Sequence, residues 1–350
     1  MKKLRHILPL VLAMTAAACG GPAGPDPGTA FVNPLLPAGA DPWVIHRDGF
    51  YYYMHTTGRN LTLRKTRKMS ELAQADPVVV WSPPETGPYS HGIWAPELHH
   101  LDGAWYIYFA ADAGQNASHR LWVLENRSPD PTTGEWTMKG KLADPADRWA
   151  IDGTVFEHAG RRYLAWSGWE GETNGVQHLY LAPMADPWTL AGPRVRISTP
   201  TLPWETVGDI PNPGDGPAHV DVNEGPQFLR RGDRVFIVYS ASGCWTDAYT
   251  LGLLSADAGS DLLDPASWTK HPEPVFASAP GAHAAGHNSF FTSPDGSEDW
   301  ILYHANPEPG QGCGGRRSPR MQRFDWDADG LPRLGAALTP GDTLAGPSGE

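Results

Sequence analysis

Three acidic residues hold equivalent places in a repeated segment of this chain. Asp41, Asp152 and Glu224 each begin a stretch in which a glycine follows eight residues later. Aspartate is common at turns because it bonds to its own backbone, but glutamate is a poor turn former, so a turn preference explains Glu224 badly. Carboxylates that face one another suit acid–base chemistry in which one is protonated and another ionised. Around a sugar-sized pocket such a pair would support hydrolysis of a glycosidic bond, and a third acid would raise the pKa of its neighbour.

The acids belong to five copies of one unit, namely an apolar strand, a turn with glycine and an aromatic strand. The copies begin at Asp41, Ala95, Asp152, Glu224 and Asn288, and their glycines are Gly49, Gly103, Gly160, Gly232 and Gly296. Alternating hydrophobic residues on both sides of a turn glycine predict a β-hairpin. The copies start 54 to 72 residues apart, which leaves room for two more strands in each. Five such repeats predict an all-β fold, a five-bladed β-propeller.

The repeat also predicts where the acids lie. Equivalent positions of propeller blades converge on the central channel, so three carboxylates at the start of the innermost strands would face one another across its mouth. A β-sandwich is the alternative fold, but it does not predict a fixed register across five copies. No linker separates the repeats, so we expect residues 31–345 to form a single catalytic domain.

Composition narrows the classes of function. The chain has 350 residues, a formal net charge of −12, 39 glycines and 35 prolines. This much Gly and Pro disfavours long helices, and the acidic balance disfavours nucleic acid as a partner. Neither a G-x-S-x-G elbow nor an H-E-x-x-H motif occurs, which disfavours serine and zinc hydrolases. The 15 tryptophans suit packing and also suit contact with sugar rings.

The N-terminus has the pattern of an export signal. A basic start at Lys2, Lys3 and Arg5 precedes an apolar run that ends at Ala18, so residues 1–18 are interpreted as a signal peptide. The string Ala-Ala-Ala-Cys resembles a bacterial lipoprotein cleavage box, with Cys19 as the lipidated first residue. Residues 19–30 would then be a flexible tether, and the protein would be anchored to the cell envelope by lipid alone. Plain secretion, into the periplasm or the medium, is the alternative.

Cys244 and Cys313 remain in the exported part of the chain. Two cysteines in an exported protein are the right number for one bridge, so we expect a disulfide between them. Two free buried thiols are the alternative.

Five strings in order resemble glycoside hydrolase family 43, within the five-bladed propeller glycosidases. They are GADPWVI with Asp41, HGIWAPELHHLDG, WAIDGTVF with Asp152, VNEGPQF with Glu224, and GHNSFF with His287. The resemblance implies that Asp41 is the general base, that Glu224 is the general acid and that Asp152 tunes the pKa of the acid and orients it. It also implies inversion of configuration, with acid and base separated by about 6.5–9.5 Å to admit water.

The residues of these strings most closely resemble those of the α-L-arabinofuranosidase members of the family. The resemblance therefore implies an exported enzyme, acting as a monomer, that removes terminal α-L-arabinofuranosyl residues from arabinan or arabinoxylan of plant cell walls. A β-xylosidase or an endo-arabinanase on the same scaffold is the alternative. A sugar-binding propeller without catalytic activity is a third hypothesis, which is disfavoured because all three acids are present.

The resemblance extends to further residues. His287 would line the channel beside the sugar, near a structural Ca²⁺ or its waters, although no cofactor is required for the chemistry. Arg317 aligns with an arginine that binds sugar hydroxyls, with Arg316 and Arg320 as alternative matches. Trp94 would form a stacking wall for the sugar or would pack in the core.

Overall fold

The computed structural model describes residues 30–350, which form a short strand β1 (Ala30–Phe31) and five sheets, blades I to V. Blade I contains β2 (Ala40–Arg47), β3 (Phe50–Thr56), β4 (Leu61–Thr66) and β5 (Pro77–Trp81). Blade II contains β6 (His91–Leu101), β7 (Ala104–Asp112), β8 (Arg120–Asn126) and β9 (Thr137–Leu142). Blade III contains β10 (Ala150–His158), β11 (Arg161–Gly168), β12 (Val176–Asp186), β13 (Thr189–Leu190) and β14 (Val195–Ser198).

The last two blades repeat the arrangement. Blade IV contains β15 (Asp221–Arg231), β16 (Arg234–Ala241), β17 (Thr250–Asp257), β18 (Thr269–Lys270) and β19 (Phe276–Ala277). Blade V contains β20 (His283–Thr292), β21 (Asp299–Asn306), β22 (Ser318–Trp326) and β23 (Pro332–Arg333). Two short strands follow, β24 (Gly335–Ala336) and β25 (Leu344–Ala345). Short 3₁₀ helices lie at Met69–Gln74, Asn116–Ser118 and Pro265–Ser267.

Within each blade the first three strands pair antiparallel in chain order, so the first strand lies at one edge. In blades III and IV the two short last strands both pair with the third strand. The first strands of the five blades contact one another in cyclic order, β2 with β6, β6 with β10, β10 with β15, β15 with β20, and β20 again with β2. The ring is therefore closed with the first strands innermost, and the prediction of a five-bladed β-propeller is confirmed. Blades III and IV are additionally joined by a short parallel pairing of β12 with β15.

Five hydrophobic clusters form the core, one between each pair of adjacent blades. The closing cluster packs Tyr51 and Tyr53 of blade I against Phe291, Trp300 and Leu302 of blade V. Pairing of β1 with β25 brings the two ends of the described chain together beside this seam. Because aromatic side chains bury large areas, this cluster holds the first and last blades together.

Each innermost strand is interrupted near its start by a β-bulge with a residue in the left-handed region. These residues are Asp41, Ala95, Asp152, Gly225 and His287, with φ of 54°, 41°, 57°, 54° and 48°. Each stands two residues before the first regular pair that follows the bulge. A bulge redirects the side chains of its strand, and in this fold it turns them towards one end of the channel.

The fixed eight-residue register is therefore wrong for two copies. In blade IV the residue equivalent to Asp41 is Gly225, whereas Glu224 lies one residue earlier and pairs with Ser240. The reason is the turn. In blades I to III the glycine is the second residue of a two-residue loop, and both loop residues have a positive φ. In blade IV Gly232 is the first loop residue, Asp233 is the second, and only Gly232 has a positive φ. In blade V the loop is longer and the equivalent residue is His287, one before the expected Asn288.

The signal peptide (1–18), Cys19 and almost all of the tether (19–30) lie outside the described residues. Within residues 30–350, no helix has the length and apolar character needed to cross a bilayer.

Candidate active site

A cavity of about 430 Å³ opens where the innermost strands begin. This volume is typical of sites for small molecules. All five blades contribute to the wall, through Asp41, Trp94, Asp152, Glu224 and His287. The three acids expected from the sequence therefore meet in one cavity, although Glu224 reaches it from a different strand position.

Asp41 is held by a directional set of hydrogen bonds and one ion pair. Arg317 Nη1 lies 3.1 Å from Oδ1, and the Thr56 hydroxyl donates to Oδ2 at 2.6 Å. The backbone N–H of Ala95 donates to the Thr56 oxygen at 2.7 Å, so the hydroxyl proton of Thr56 is directed to Asp41. The backbone N–H of Asp41 in turn donates to His304 Nδ1 at 3.0 Å.

These contacts set the charge of Asp41. Burial acts to raise its pKa, but the nearby cations of His287 and Arg317 outweigh burial and hold the pKa well below its usual range. An ionised carboxylate at neutral pH follows, and an ionised carboxylate can accept a proton.

For Asp152 and Glu224, the influences that raise the pKa outweigh those that lower it. Burial, opposed by His287 and supported by the charges of Glu224 and Asp41, raises the pKa of Asp152 to about 8. Burial likewise raises the pKa of Glu224. One oxygen from each lies within 4.8 Å of the other and of a His287 nitrogen. Because two carboxylates this close resist double ionisation, the pair retains a proton near neutral pH.

Each member of this pair accepts one hydrogen bond from the protein. The N–H of Gly225 donates to Asp152 Oδ2 at 3.0 Å, and the hydroxyl of Tyr249 donates to Glu224 Oε1 at 2.8 Å. At Gly225 the φ of 54° disfavours a side chain, and a Cβ would lie 3.3 Å from the His287 ring, which is a tight contact.

His287 lies among the three acids. Its Nδ1 is 3.4 Å from Asp41 Oδ1, and the charges of Asp41, Asp152 and Glu224 raise its pKa against the opposing effect of burial. Among residues 30–350, Asp152, Glu224 and His287 are the group whose donor atoms converge enough to hold a metal ion. Calcium prefers six to eight oxygen ligands, and these donors fall short of that number. The calcium site stays a prediction.

The other expected residues are placed as follows. Trp94 lines the cavity with its ring stacked on His119, the centroids 3.9 Å apart. Arg317 lines the cavity and pairs with Asp41, whereas Arg316 is exposed and Arg320 is buried outside the cavity wall.

A disulfide joins Cys244 to Cys313, and both cysteines line the cavity. The bridge ties the β16–β17 loop of blade IV to the β21–β22 loop of blade V. The second loop also carries Arg317, whose Nη2 donates to the Cys313 carbonyl at 3.0 Å.

Sequence reasoning missed much of the wall and its support. The wall also contains two further tryptophans and three side-chain amides, Trp149, Trp245, Asn116, Asn174 and Gln177. Trp149 stands three residues before Asp152 and Trp245 follows Cys244, so proximity to a singled-out residue was the available signal. Thr56, His304 and Tyr249 carry no such signal, because only the fold brings them beside the acids.

Comparison with known proteins matches the model of the family "Glycosyl hydrolases family 43" to residues 31–332. An extracellular exo-α-(1→5)-L-arabinofuranosidase of Streptomyces chartreusis is 41% identical over 300 residues, which cover 84% of this chain and 87% of the relative. One of the same name from Streptomyces avermitilis is 40% identical over 347 residues, covering 96% and 69%. The crystal structure of an α-L-arabinofuranosidase from Lactobacillus brevis superposes with a TM-score of 0.81 at 34% identity, covering 89% and 98%.

Proposed function

This chain belongs to glycosyl hydrolase family 43, and from that premise we propose that it is an exported exo-α-L-arabinofuranosidase. Its substrates are arabinan or arabinoxylan oligo- and polysaccharides of plant cell walls, from which it removes terminal α-L-arabinofuranosyl residues. The names of the two Streptomyces relatives and of the Lactobacillus brevis structure support this sugar and, for the Streptomyces relatives, export.

One observation carries the chemistry: three carboxylates converge in one cavity with their proton affinities displaced in opposite directions. Asp41 is ionised beside Arg317, while Asp152 and Glu224 retain a proton between them. Hydrolysis of a glycoside needs one carboxylate of each kind, so the site is equipped before substrate arrives.

In the proposed reaction Glu224 donates its proton to the glycosidic oxygen, so the bond from that oxygen to the anomeric carbon breaks and an alcohol leaves. Asp41 takes a proton from a water molecule, whose oxygen bonds to the anomeric carbon on the opposite face. One water is consumed, and the configuration is inverted. The pair shares one proton, and in the reactive state that proton is on Glu224. The negative charge then left on Asp152 disfavours early loss of the proton, and Asp152 also orients Glu224.

The wall supplies the contacts to the sugar. Trp94 offers an apolar ring face, and His287 and Arg317 offer donors to hydroxyl groups. Arg317 has two tasks here, since the same guanidinium holds Asp41 ionised.

A panel of aryl glycosides tests the substrate. We expect release of the aryl group from the α-L-arabinofuranoside at a kcat/KM far above that for the β-D-xyloside, and release of arabinose from the non-reducing end of α-1,5-arabino-oligosaccharides. A preference for the xyloside would indicate a β-xylosidase instead, and internal cleavage would indicate an endo-arabinanase.

Lipid anchoring at Cys19 is the finer part of the proposal on export. It is supported by the basic start, the apolar run and the small residues before Cys19. A Cys19→Ser variant should lose the lipid and leave the membrane fraction or remain unprocessed. Mass spectrometry that finds an unmodified N-terminus at another residue of the native protein would contradict this part alone.

A further inference from the structure

Tyr249 stands directly behind Glu224 and does not line the cavity. It precedes β17, its side chain is 1% exposed, and its hydroxyl donates to Glu224 Oε1 at 2.8 Å. A protonated carboxyl accepts on its carbonyl oxygen and donates from its hydroxyl oxygen. With Oε1 bonded to Tyr249, the proton to be transferred belongs on Oε2.

The position of Tyr249 is itself determined by its surroundings. A Cβ on Gly286 would lie 2.5 Å from the Tyr249 ring, so only glycine leaves room for this ring. The side chain of Ser240, the residue that pairs with Glu224 in the sheet, lies beside Gly286 as the Tyr249 ring does, and it accepts the backbone N–H of His287 at 2.8 Å. Steric fit thus holds the phenol in one orientation.

The other face of Tyr249 connects Glu224 to Asp41. The Tyr249 ring is stacked on His304 with an interplanar angle of 4° and centroids 5.7 Å apart. His304 in turn accepts the backbone N–H of Asp41 at 3.0 Å. Tyr249 and His304 therefore form a buried brace between the two carboxylates that exchange protons with substrate and water.

We propose that Tyr249 is a positioning residue for Glu224: its hydrogen bond holds Oε1 so that Oε2 presents the proton to the leaving oxygen. The inference rests on the proposed role of Glu224 as the acid. It predicts that loss of the Tyr249 hydroxyl harms only substrates whose leaving group needs that proton.

The test compares kcat and KM of Tyr249→Phe on an α-1,5-arabino-oligosaccharide and on an aryl α-L-arabinofuranoside with an acidic phenol. We expect kcat on the oligosaccharide to fall by about 10- to 100-fold, the range set by hydrogen bonds to charged groups. KM should change little, because Tyr249 does not line the cavity. Activity on the aryl substrate should fall by less than about threefold, since a good leaving group departs without full protonation.

Tyr106→Phe is the matched control. Tyr106 is also a buried tyrosine whose hydroxyl donates to a carboxylate at 2.8 Å, but that carboxylate is Glu125 of blade II and neither residue lines the cavity. We expect this variant to retain the activity of the wild type on both substrates. Equal losses on both substrates for Tyr249→Phe, or a loss through KM alone, would overturn the inference.

A double-mutant cycle separates this inference from the proposed function. If Tyr249 acts through Glu224, Tyr249→Phe should cost nothing further on the oligosaccharide in a Glu224→Gln background, whereas additive losses would contradict it. If Glu224→Gln loses the same proportion of its activity on both substrates, Glu224 is not the acid, and the inference about Tyr249 is wrong as well. If Tyr249→Phe fails to fold, Gly286→Ala places a methyl group 2.5 Å from the Tyr249 ring and so displaces the phenol. That variant should show the same dependence on leaving group at smaller size, and a uniform loss would overturn the inference.

Discussion

The two sides of the cavity hold the same kind of side chain in opposite states of protonation. Asp41 is 9% exposed, Asp152 5% and Glu224 8%, so burial alone does not distinguish them. On the side of blades I and V, Asp41 has Arg317 at 3.1 Å. On the side of blades III and IV, Asp152 and Glu224 lie beside each other, and the cation of His287 acts on all three acids. The charges of neighbouring groups, rather than the depth of the pocket, decide which acid is ionised.

The largest expected effect comes from removing the ionised side. Asp41→Asn takes away the acceptor of the proton from water, a step that every substrate shares. We expect kcat/KM to fall by about 10²–10⁴-fold on both the oligosaccharide and the aryl substrate. An unchanged thermal melting curve would show that the loss is chemical. If Asp41→Asn keeps most of its kcat/KM on the aryl substrate, the assignments of acid and base are reversed.

Glu224→Gln removes the proton donor from the other side. Cleavage of oligosaccharide should fall by about 10²–10⁴-fold, but a substantial part of the activity on activated aryl substrates should remain. Glu125→Gln is the control, because Glu125 also accepts a tyrosine hydroxyl at 2.8 Å but lies away from the cavity. Equal losses on both substrates would count against Glu224 as the acid.

Arg317→Gln tests what keeps Asp41 ionised. Without the guanidinium the pKa of Asp41 should rise, so the acidic limb of kcat/KM against pH should move to higher pH. We expect a fall of about 10- to 100-fold in activity as well, because a hydrogen bond to a charged group is lost. Arg316→Gln, a change at the exposed neighbour, should leave the profile in place. An acidic limb that does not move would show that His287 keeps Asp41 ionised without Arg317.

Asp152→Asn tests the like-charge side and has the smallest expected effect. Removing a negative charge beside Glu224 lowers the pKa of Glu224, and an acid that deprotonates earlier moves the alkaline limb to lower pH. At the new optimum we expect a loss of about tenfold or more from misorientation of the acid. The pH profile of kcat/KM on the oligosaccharide measures this shift. A shift of the alkaline limb to higher pH would contradict the proposed coupling.

The sequence was informative where a feature repeats or stands beside a repeat. The sequence contains five hairpin units whose second strands are aromatic, and this pattern predicted the propeller. Alternating hydrophobic residues and turn glycines leave few other ways to bury both faces of a strand. The prediction was wrong where the number of residues before a turn glycine was used to infer the position of a residue on its strand. Gly232 occupies the first place of its turn and the turn glycines of blades I to III the second, so Glu224 was assigned to the wrong strand position.

The sequence alone was enough to identify the set of groups available to the site: three acids, a histidine, an arginine and two cysteines in a β-propeller. What only the tertiary structure decided is how those groups are partnered. Arg317 reaches Asp41 across 276 positions of the chain, and Tyr249 reaches Glu224 across 25. No local pattern predicts such pairs, because bulges, turns and the closure of the ring place them together. Since proton affinity depends on neighbours within a few ångströms, the states of the acids became visible only in the folded chain.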